Sequence, residues 1–219
     1  MTKILEPSLL SFDLKNMQSN LFEVKQLGIS QIHYDVMDNK FVPNTAFDTE
    51  WLDLLHQNGF NISIHFMVEQ PREWIKRFIS FKGIKAITFH PEPIDEKETL
   101  DLLKFIKDNK ILAGVALKPD TNISKYQDIL SQCDLVTVMG VQPGFGGQKF
   151  MPITIDNLKI FAEIKNKLNP KLIIQLDGGV NFDVLKQTYH YVDWFVSGSF
   201  LMKYNGNKKD IIDYFKNLK

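Results

Sequence analysis

The chain has 219 residues, 44% hydrophobic and 24% charged, and its 26 basic side chains balance 26 acidic ones. That composition is ordinary for a globular protein long enough to bury a large core. The zero formal charge excludes a global field for nucleic acid or for basic partners, so any anion site must be local.

Cys133 is the only cysteine, which rules out an intrachain disulfide and suits a reducing cytosol. The opening Met1-Thr2-Lys3-Ile4-Leu5-Glu6-Pro7 places a charge and a proline where a secretion signal needs an apolar region. No apolar run approaches a membrane-spanning length. The expectation is a cytoplasmic protein with neither membrane nor nucleic acid as partner.

In chain order, an apolar run at 4–10 precedes an amphipathic stretch at 14–27 that stops at Gly28. A strand at 31–37 leads to a helix at 49–58 closed by Gly59, and a strand at 61–68 to a helix at 71–82 opened by Pro71. The alternation continues with strands at 85–90, 111–117, 134–141, 172–177 and 193–198. Helices at 96–109, 122–132, 154–168, 181–189 and 208–217 separate and follow them. Parallel pairing follows, because each crossover needs a helix. Eight strands favour closure into a single-domain TIM (β/α)8 barrel over residues 1–219 rather than an open doubly wound sheet. Closure puts function at the C-terminal strand ends.

Polar residues gather at those ends. In Gln31-Ile32-His33-Tyr34-Asp35-Val36-Met37-Asp38, alternation puts His33, Asp35 and Met37 on one face and Ile32, Tyr34 and Val36 on the other. An inward His and Asp are costly unless paired or ligating. His65 and Met67 repeat the pattern on the third strand, and Asp177 ends the seventh. A lone inward histidine is most often a hydrogen-bonded core residue. Two imidazoles and two carboxylates at matching strand ends instead suit one divalent metal: Zn, Fe(II), Mn or Co. His56 and His190 fall in helical stretches and read as surface residues, while His90 ends the fourth strand with packing and function equally open.

Glycines mark three neighbouring strand ends: Pro143-Gly144-Phe145-Gly146-Gly147-Gln148, Asp177-Gly178-Gly179 and Ser197-Gly198-Ser199. Any one could be a tight turn. Three together, at the barrel position where phosphate sites recur, point to backbone N–H groups approaching a phosphate. Gly144 to Gly147 also suit a mobile flap. No P-loop lysine pattern is present.

These residues resemble the ribulose-phosphate 3-epimerase family. The matching segments are Pro7-Ser8-Leu9-Leu10-Ser11-Phe12-Asp13, His33-Tyr34-Asp35-Val36-Met37-Asp38, Phe41-Val42-Pro43-Asn44, His65-Phe66-Met67-Val68 and Thr88-Phe89-His90. Pro143 to Phe150, Asp177-Gly178-Gly179 and Ser197-Gly198-Ser199 complete the series in family order across almost the whole chain. The resemblance implies interconversion of D-ribulose 5-phosphate and D-xylulose 5-phosphate in the pentose phosphate pathway by a metal-dependent isomerase. It implies His33, Asp35, His65 and Asp177 as metal ligands, Asp35 as proton acceptor and Asp177, protonated at the start, as donor. Ser8 and His65 would touch substrate. Gly144, Phe145, Gly146, Gly147, Gly178, Gly179, Gly198 and Ser199 would hold its phosphate end, and Met37, Met67 and Met139 would line the pocket. A homo-oligomer is implied as well.

Three positions depart from the family: Asn39 for a usual glycine, Gly140 for a common threonine and Lys118 for a frequent asparagine. A sister family, the allulose-6-phosphate 3-epimerases, shares the barrel and chemistry and carries a stretch like His90-Pro91-Glu92. A metal-dependent sugar-phosphate hydrolase and a non-catalytic sugar-phosphate binder are the readings from other classes.

Overall fold

The computed structural model describes residues 3–218. Eight strands alternate with helices through the described residues. They are β1 (Ile4–Pro7), β2 (Gln31–Met37), β3 (Asn61–Met67), β4 (Ile84–Phe89), β5 (Leu112–Leu117), β6 (Leu135–Met139), β7 (Ile173–Asp177) and β8 (Trp194–Ser197). All pair parallel in the order β1-β8-β7-β6-β5-β4-β3-β2, and a parallel bridge between Ser8 and His33 closes the ring. The chain is therefore a (β/α)8 TIM barrel, as the alternation predicts.

The outer layer comprises α1 (Met17–Gln26), α2 (Leu52–Gln57), α3 (Pro71–Phe78), α4 (Glu96–Asp108), α5 (Gln127–Ser131), α6 (Ile153–Lys167), α7 (Phe182–Thr188), α8 (Ser199–Met202) and α9 (Lys208–Asn217). Gly28 and Gly59 follow α1 and α2 with φ of 77° and 74°, the left-handed conformation that ends a helix. Pro71 opens α3, where its missing N–H costs nothing. Asp95 caps α4 by accepting from Glu98 N, and Asn181 caps α7 by accepting from Val184 N.

Strand faces sort as alternation requires. Ile32, Tyr34 and Val36 join the main core between strands and helices, whereas Met37 packs with Val42 and Met67 inside the barrel mouth. At the opposite end of the barrel, Ala86, Leu135 and Trp194 form a small apolar plug. Between the two lies a buried polar layer. Gln31 Nε2 donates to Glu6 at 3.1 Å, Gln175 Nε2 to Glu6 at 2.5 Å, and Thr137 Oγ1 to Gln175 Oε1 at 2.6 Å. Burial pushes the Glu6 carboxyl above the usual range against the pull of His33 and the two amides.

Some boundaries differ from the sequence expectation. β1 ends at Pro7, not residue 10, because Ser8 accepts from Leu10 N and starts a 3-10 turn at Leu9–Ser11. The first helix begins at Met17 after a second 3-10 turn, and the stretch at 122–132 divides into a 3-10 turn and α5. His56 lies exposed on α2, and His190 lies exposed in a turn beyond α7 rather than in a helix.

Candidate metal centre and active site

β2, β3 and β7 carry the four candidate ligands to one point. The register sets Asp35 beside His65 on adjacent strands, and β7 ends at Asp177 beside Met139 of β6. One donor atom from each of His33, Asp35, His65 and Asp177 lies within 4.8 Å of the others. Asp35 Oδ1 lies 3.3 Å from His33 Nε2 and 3.5 Å from His65 Nδ1, and Asp177 Oδ2 lies 3.6 Å and 3.3 Å from the same two nitrogens. Ligands about 2.0–2.1 Å from a tetrahedral cation stand roughly 3.3 Å apart, so the spacing matches a coordination shell.

The hydrogen bonding points the same way. His33 Nε2 and His65 Nδ1 are buried and take no hydrogen-bond partner among the described residues, although both face carboxylate oxygens. A buried donor or acceptor without a partner costs about 1–3 kcal/mol, which a bound cation would remove for both nitrogens at once. Two imidazoles and two carboxylates fit a divalent first-row metal. Ser8 Oγ donates to Asp35 Oδ2 at 2.8 Å, which fixes the carboxylate's second oxygen and leaves Oδ1 toward the imidazoles.

Electrostatics follow from this packing. Burial opposes charge on His33 and His65, but Asp35 and Asp177 outweigh it and raise both imidazoles, His33 well above its ordinary value. Burial likewise opposes charge on Asp35 and Asp177, yet His33 foremost holds both carboxyls below the usual carboxylate range.

Above the four ligands opens a cavity of about 610 Å³. Ser8, Asp35, Asp177, Gly144, Phe145, Gly146, Gly147, Gly178, Gly179, Gly198 and Ser199 all line it, as do Met37, Met67 and Met139. His65 is fully buried beside the two carboxylates and is not among the lining residues. Lys149 also lines the cavity and supplies a cation that sequence reading passed over inside the glycine segment. Gly178 and Gly179 have φ of 102° and 70°, and a Cβ on Gly179 would lie 2.6 Å from Phe150 Cα, so the backbone there requires glycine. Asn44 Nδ2 donates to Gly144 O at 2.7 Å and ties the loop after β2 to the loop after β6.

His90 is fully buried. Its Nε2 shares a hydrogen bond with His65 Nε2 at 3.0 Å, its Nδ1 lies 3.2 Å from Glu92 Oε2, and the Phe41 ring packs against it, tilted, at 4.7 Å between ring centroids.

The three departures have local accounts. Asn39 has φ of 57°, a conformation that asparagine tolerates best after glycine. A Cβ on Gly140 would meet Gly178 O at 2.2 Å, so in this chain the two loops approach too closely for a side chain. Lys118 places its Nζ 4.1 Å over the Phe41 ring, while its backbone N donates to Glu92 Oε1 at 3.0 Å.

Comparison with known proteins agrees. Residues 4–202 match the model of the "Ribulose-phosphate 3 epimerase family". The ribulose-phosphate 3-epimerase of Mycoplasma genitalium is 40% identical over 178 residues, 81% of this chain and 82% of that one. That of Buchnera aphidicola subsp. Acyrthosiphon pisum is 35% identical over 208 residues, 93% of this chain and 90% of that one. Among solved structures, a mutant tryptophan synthase alpha-subunit from Pyrococcus furiosus superposes with a TM-score of 0.68 at 16% identity, covering 99% of this chain and 96% of that one. The alpha subunit from Campylobacter jejuni gives 0.63 at 16% identity, with 100% and 96% covered. At that identity the likeness speaks to the barrel alone. With the family model spanning nearly the whole barrel and relatives at up to 40% identity among those compared, the chain belongs to the ribulose-phosphate 3-epimerase family, a family of isomerases.

Proposed function

We propose that residues 1–219 act as one barrel domain that interconverts D-ribulose 5-phosphate and D-xylulose 5-phosphate by moving a proton at C3. The observation that carries this reading is the meeting of Asp35, Asp177 and two buried, unpartnered imidazole nitrogens at the floor of a glycine-lined cavity. His33, Asp35, His65 and Asp177 would hold one divalent cation: Zn, Fe(II), Mn or Co. When bound, such a cation supplies Lewis-acid polarisation at the ketose oxygens and so makes the C3 proton acidic.

The chain's own residues do the rest. Asp35, ionised and steadied by Ser8, accepts the C3 proton from one face. Asp177 returns a proton to the other face, and in the reverse direction the roles exchange. Turnover in this direction needs Asp35 ionised and Asp177 protonated, and each cycle leaves the two exchanged. Glycine backbones at Gly144, Gly146, Gly147, Gly178, Gly179 and Gly198, with Phe145 and Ser199, face the phosphate end. The methionine thioethers of Met37, Met67 and Met139 wall the reacting carbon without offering a competing proton.

Ribulose 5-phosphate is incubated with the chain in deuterated water, with and without a chelator, and followed by NMR. Deuterium entering at C3, appearance of xylulose 5-phosphate and loss of both on chelation are expected. Faster turnover of allulose 6-phosphate in a parallel tube would move the reading to the six-carbon epimerases. Release of inorganic phosphate without exchange would move it to a hydrolase.

A further inference from the structure

His65 is the cation ligand with a partner on its far side, and that partner belongs to a longer chain of contacts. His65 Nε2 meets His90 Nε2 at 3.0 Å, His90 Nδ1 meets Glu92 Oε2 at 3.2 Å, and Glu92 Oε1 accepts from Lys118 N at 3.0 Å and from Thr121 Oγ1 at 2.8 Å. Both histidines are fully buried, so bulk water does not compete for these bonds. His33 differs, because its outer nitrogen, Nδ1, is buried without a partner among the described residues.

The polarity of this chain is determined from its outer end. Glu92 receives two donors on Oε1, and a carboxylate can only accept, so His90 must present N–H at Nδ1. A neutral His90 then has a lone pair at Nε2, which can only accept. His65 must therefore carry its proton at Nε2. That leaves the lone pair of His65 at Nδ1, the atom that faces Asp35 and Asp177 without a hydrogen-bond partner.

We propose that His90 and Glu92 are positioning residues of the cation site: the Glu92 carboxylate, through His90, locks His65 in the tautomer that offers Nδ1 to the cation. The proposal rests on the metal reading given above. It explains why a second histidine is buried behind a ligand, and why Glu92 is held by two donors from the segment after β5. A histidine buried for packing alone, under Phe41, would need no carboxylate and no ring-to-ring contact. The general rule is that a ligating histidine hydrogen-bonds through its other nitrogen, and that losing this partner weakens metal binding about 10–100-fold.

The decisive variant is Glu92→Gln, which keeps the shape and reverses the polarity. Its amide oxygen can still accept from Lys118 N and Thr121 Oγ1, which turns the NH2 toward His90 Nδ1. His90 then accepts at Nδ1, donates from Nε2, and drives His65 to the tautomer with a proton on Nδ1. Full-length wild type and variant are titrated with Zn(II) and Co(II) against a chromophoric chelator, without substrate, and the visible spectrum of the Co(II) form is recorded. Wild type should bind one equivalent. The variant should bind about 10–100-fold more weakly, with a shifted Co(II) band.

Nitrogen-15 NMR of the histidines in zinc-loaded wild type provides a test that needs no variant to fold: His65 should show a protonated Nε2 and a ligated Nδ1. Equal affinities in the two proteins, or His65 ligating through Nε2, would overturn the relay and leave the metal reading standing. Absence of stoichiometric binding in wild type would remove the metal reading and the relay with it.

Discussion

Replacing Gly179 with alanine tests whether the glycines after β7 serve the site or only turn the chain. Gly179 has φ of 70°, where an L side chain costs about 1–2 kcal/mol. The added Cβ would lie 2.6 Å from Phe150 Cα, 2.7 Å from its N and 2.8 Å from its Cβ. Comfortable carbon contacts are about 3.5–4.0 Å, so Phe150 or Gly179 must retreat by roughly 1 Å. The neighbouring backbone resists: Gly140 N donates to Asp177 O at 2.6 Å and Met151 N to Gly140 O at 2.8 Å. The movement therefore passes into the loop carrying Gly144 to Gly147. With strain and clash together, the loss is about 2–4 kcal/mol, the range for a backbone position that cannot adapt. For a chain of this size each kcal/mol lowers the melting temperature about 2–4 °C.

Thermal melts and steady-state kinetics on ribulose 5-phosphate read the two effects separately. Gly179→Ala should melt roughly 5–15 °C lower. Its kcat/KM should fall about 100-fold, the effect of a displacement near 1 Å at a binding group, with KM carrying much of the change. Gly146→Ala is the stability control, since its Cβ would meet nothing within 4 Å, and it should melt like wild type. A Gly179→Ala protein with wild-type melting and wild-type kcat/KM would refute the claim that this glycine is required by its contact with Phe150.

Three further outcomes are expected. Asp177→Asn keeps the side chain's shape but removes a proton carrier, so circular dichroism should be unchanged while kcat falls at least 10²–10⁴-fold; wild-type turnover would break the two-carboxylate scheme. Lys118→Asn should leave turnover within a few-fold and melting within about 2–4 °C, because Glu92 is held by the backbone N of Lys118 while the side chain lies over Phe41; a larger loss would assign the ammonium a role at the site. Cys133 is 3% exposed, and burial pushes its thiol up to about 12 from 9.0. The folded state thus keeps its proton between pH 9 and about 12 while the unfolded chain loses it, so this contribution to stability is present below pH 9 and declines as pH rises through that window. Cys133→Ala should show a shallower alkaline decline in urea-unfolding free energy, and parallel curves for the two proteins would contradict the buried-thiol assignment.

The parts of the site that sequence made legible are those set by period-two alternation. His33, Asp35 and Met37 share a parity, and a pleated strand must put them on one side. What alternation cannot supply is register, and register is what sets Asp35 beside His65 and brings Asp177 to the same centre. The buried layer around Glu6 was missed although its signal was present: Gln31 shares the parity of His33, and Gln175 that of Asp177, so both had to point inward. Helix α8, one turn at Ser199–Met202, is too short for any 3.6-residue period to register.

The same distinction explains the two buried acids. Glu6 and Asp35 both lie inside the barrel, and burial disfavours the charge of each. At Glu6 burial outweighs the pull of His33 and of the two amides from Gln175 and Gln31, so the carboxyl is pushed up. At Asp35 the neighbours are two imidazoles with nitrogens left open, and the balance reverses. A closed set of amides ends the hydrogen-bond network, whereas open ring nitrogens leave room for a cation. The barrel thus sets a hydrogen-bonded polar layer beneath one with open ring nitrogens, and the glycine loops line the cavity above the second.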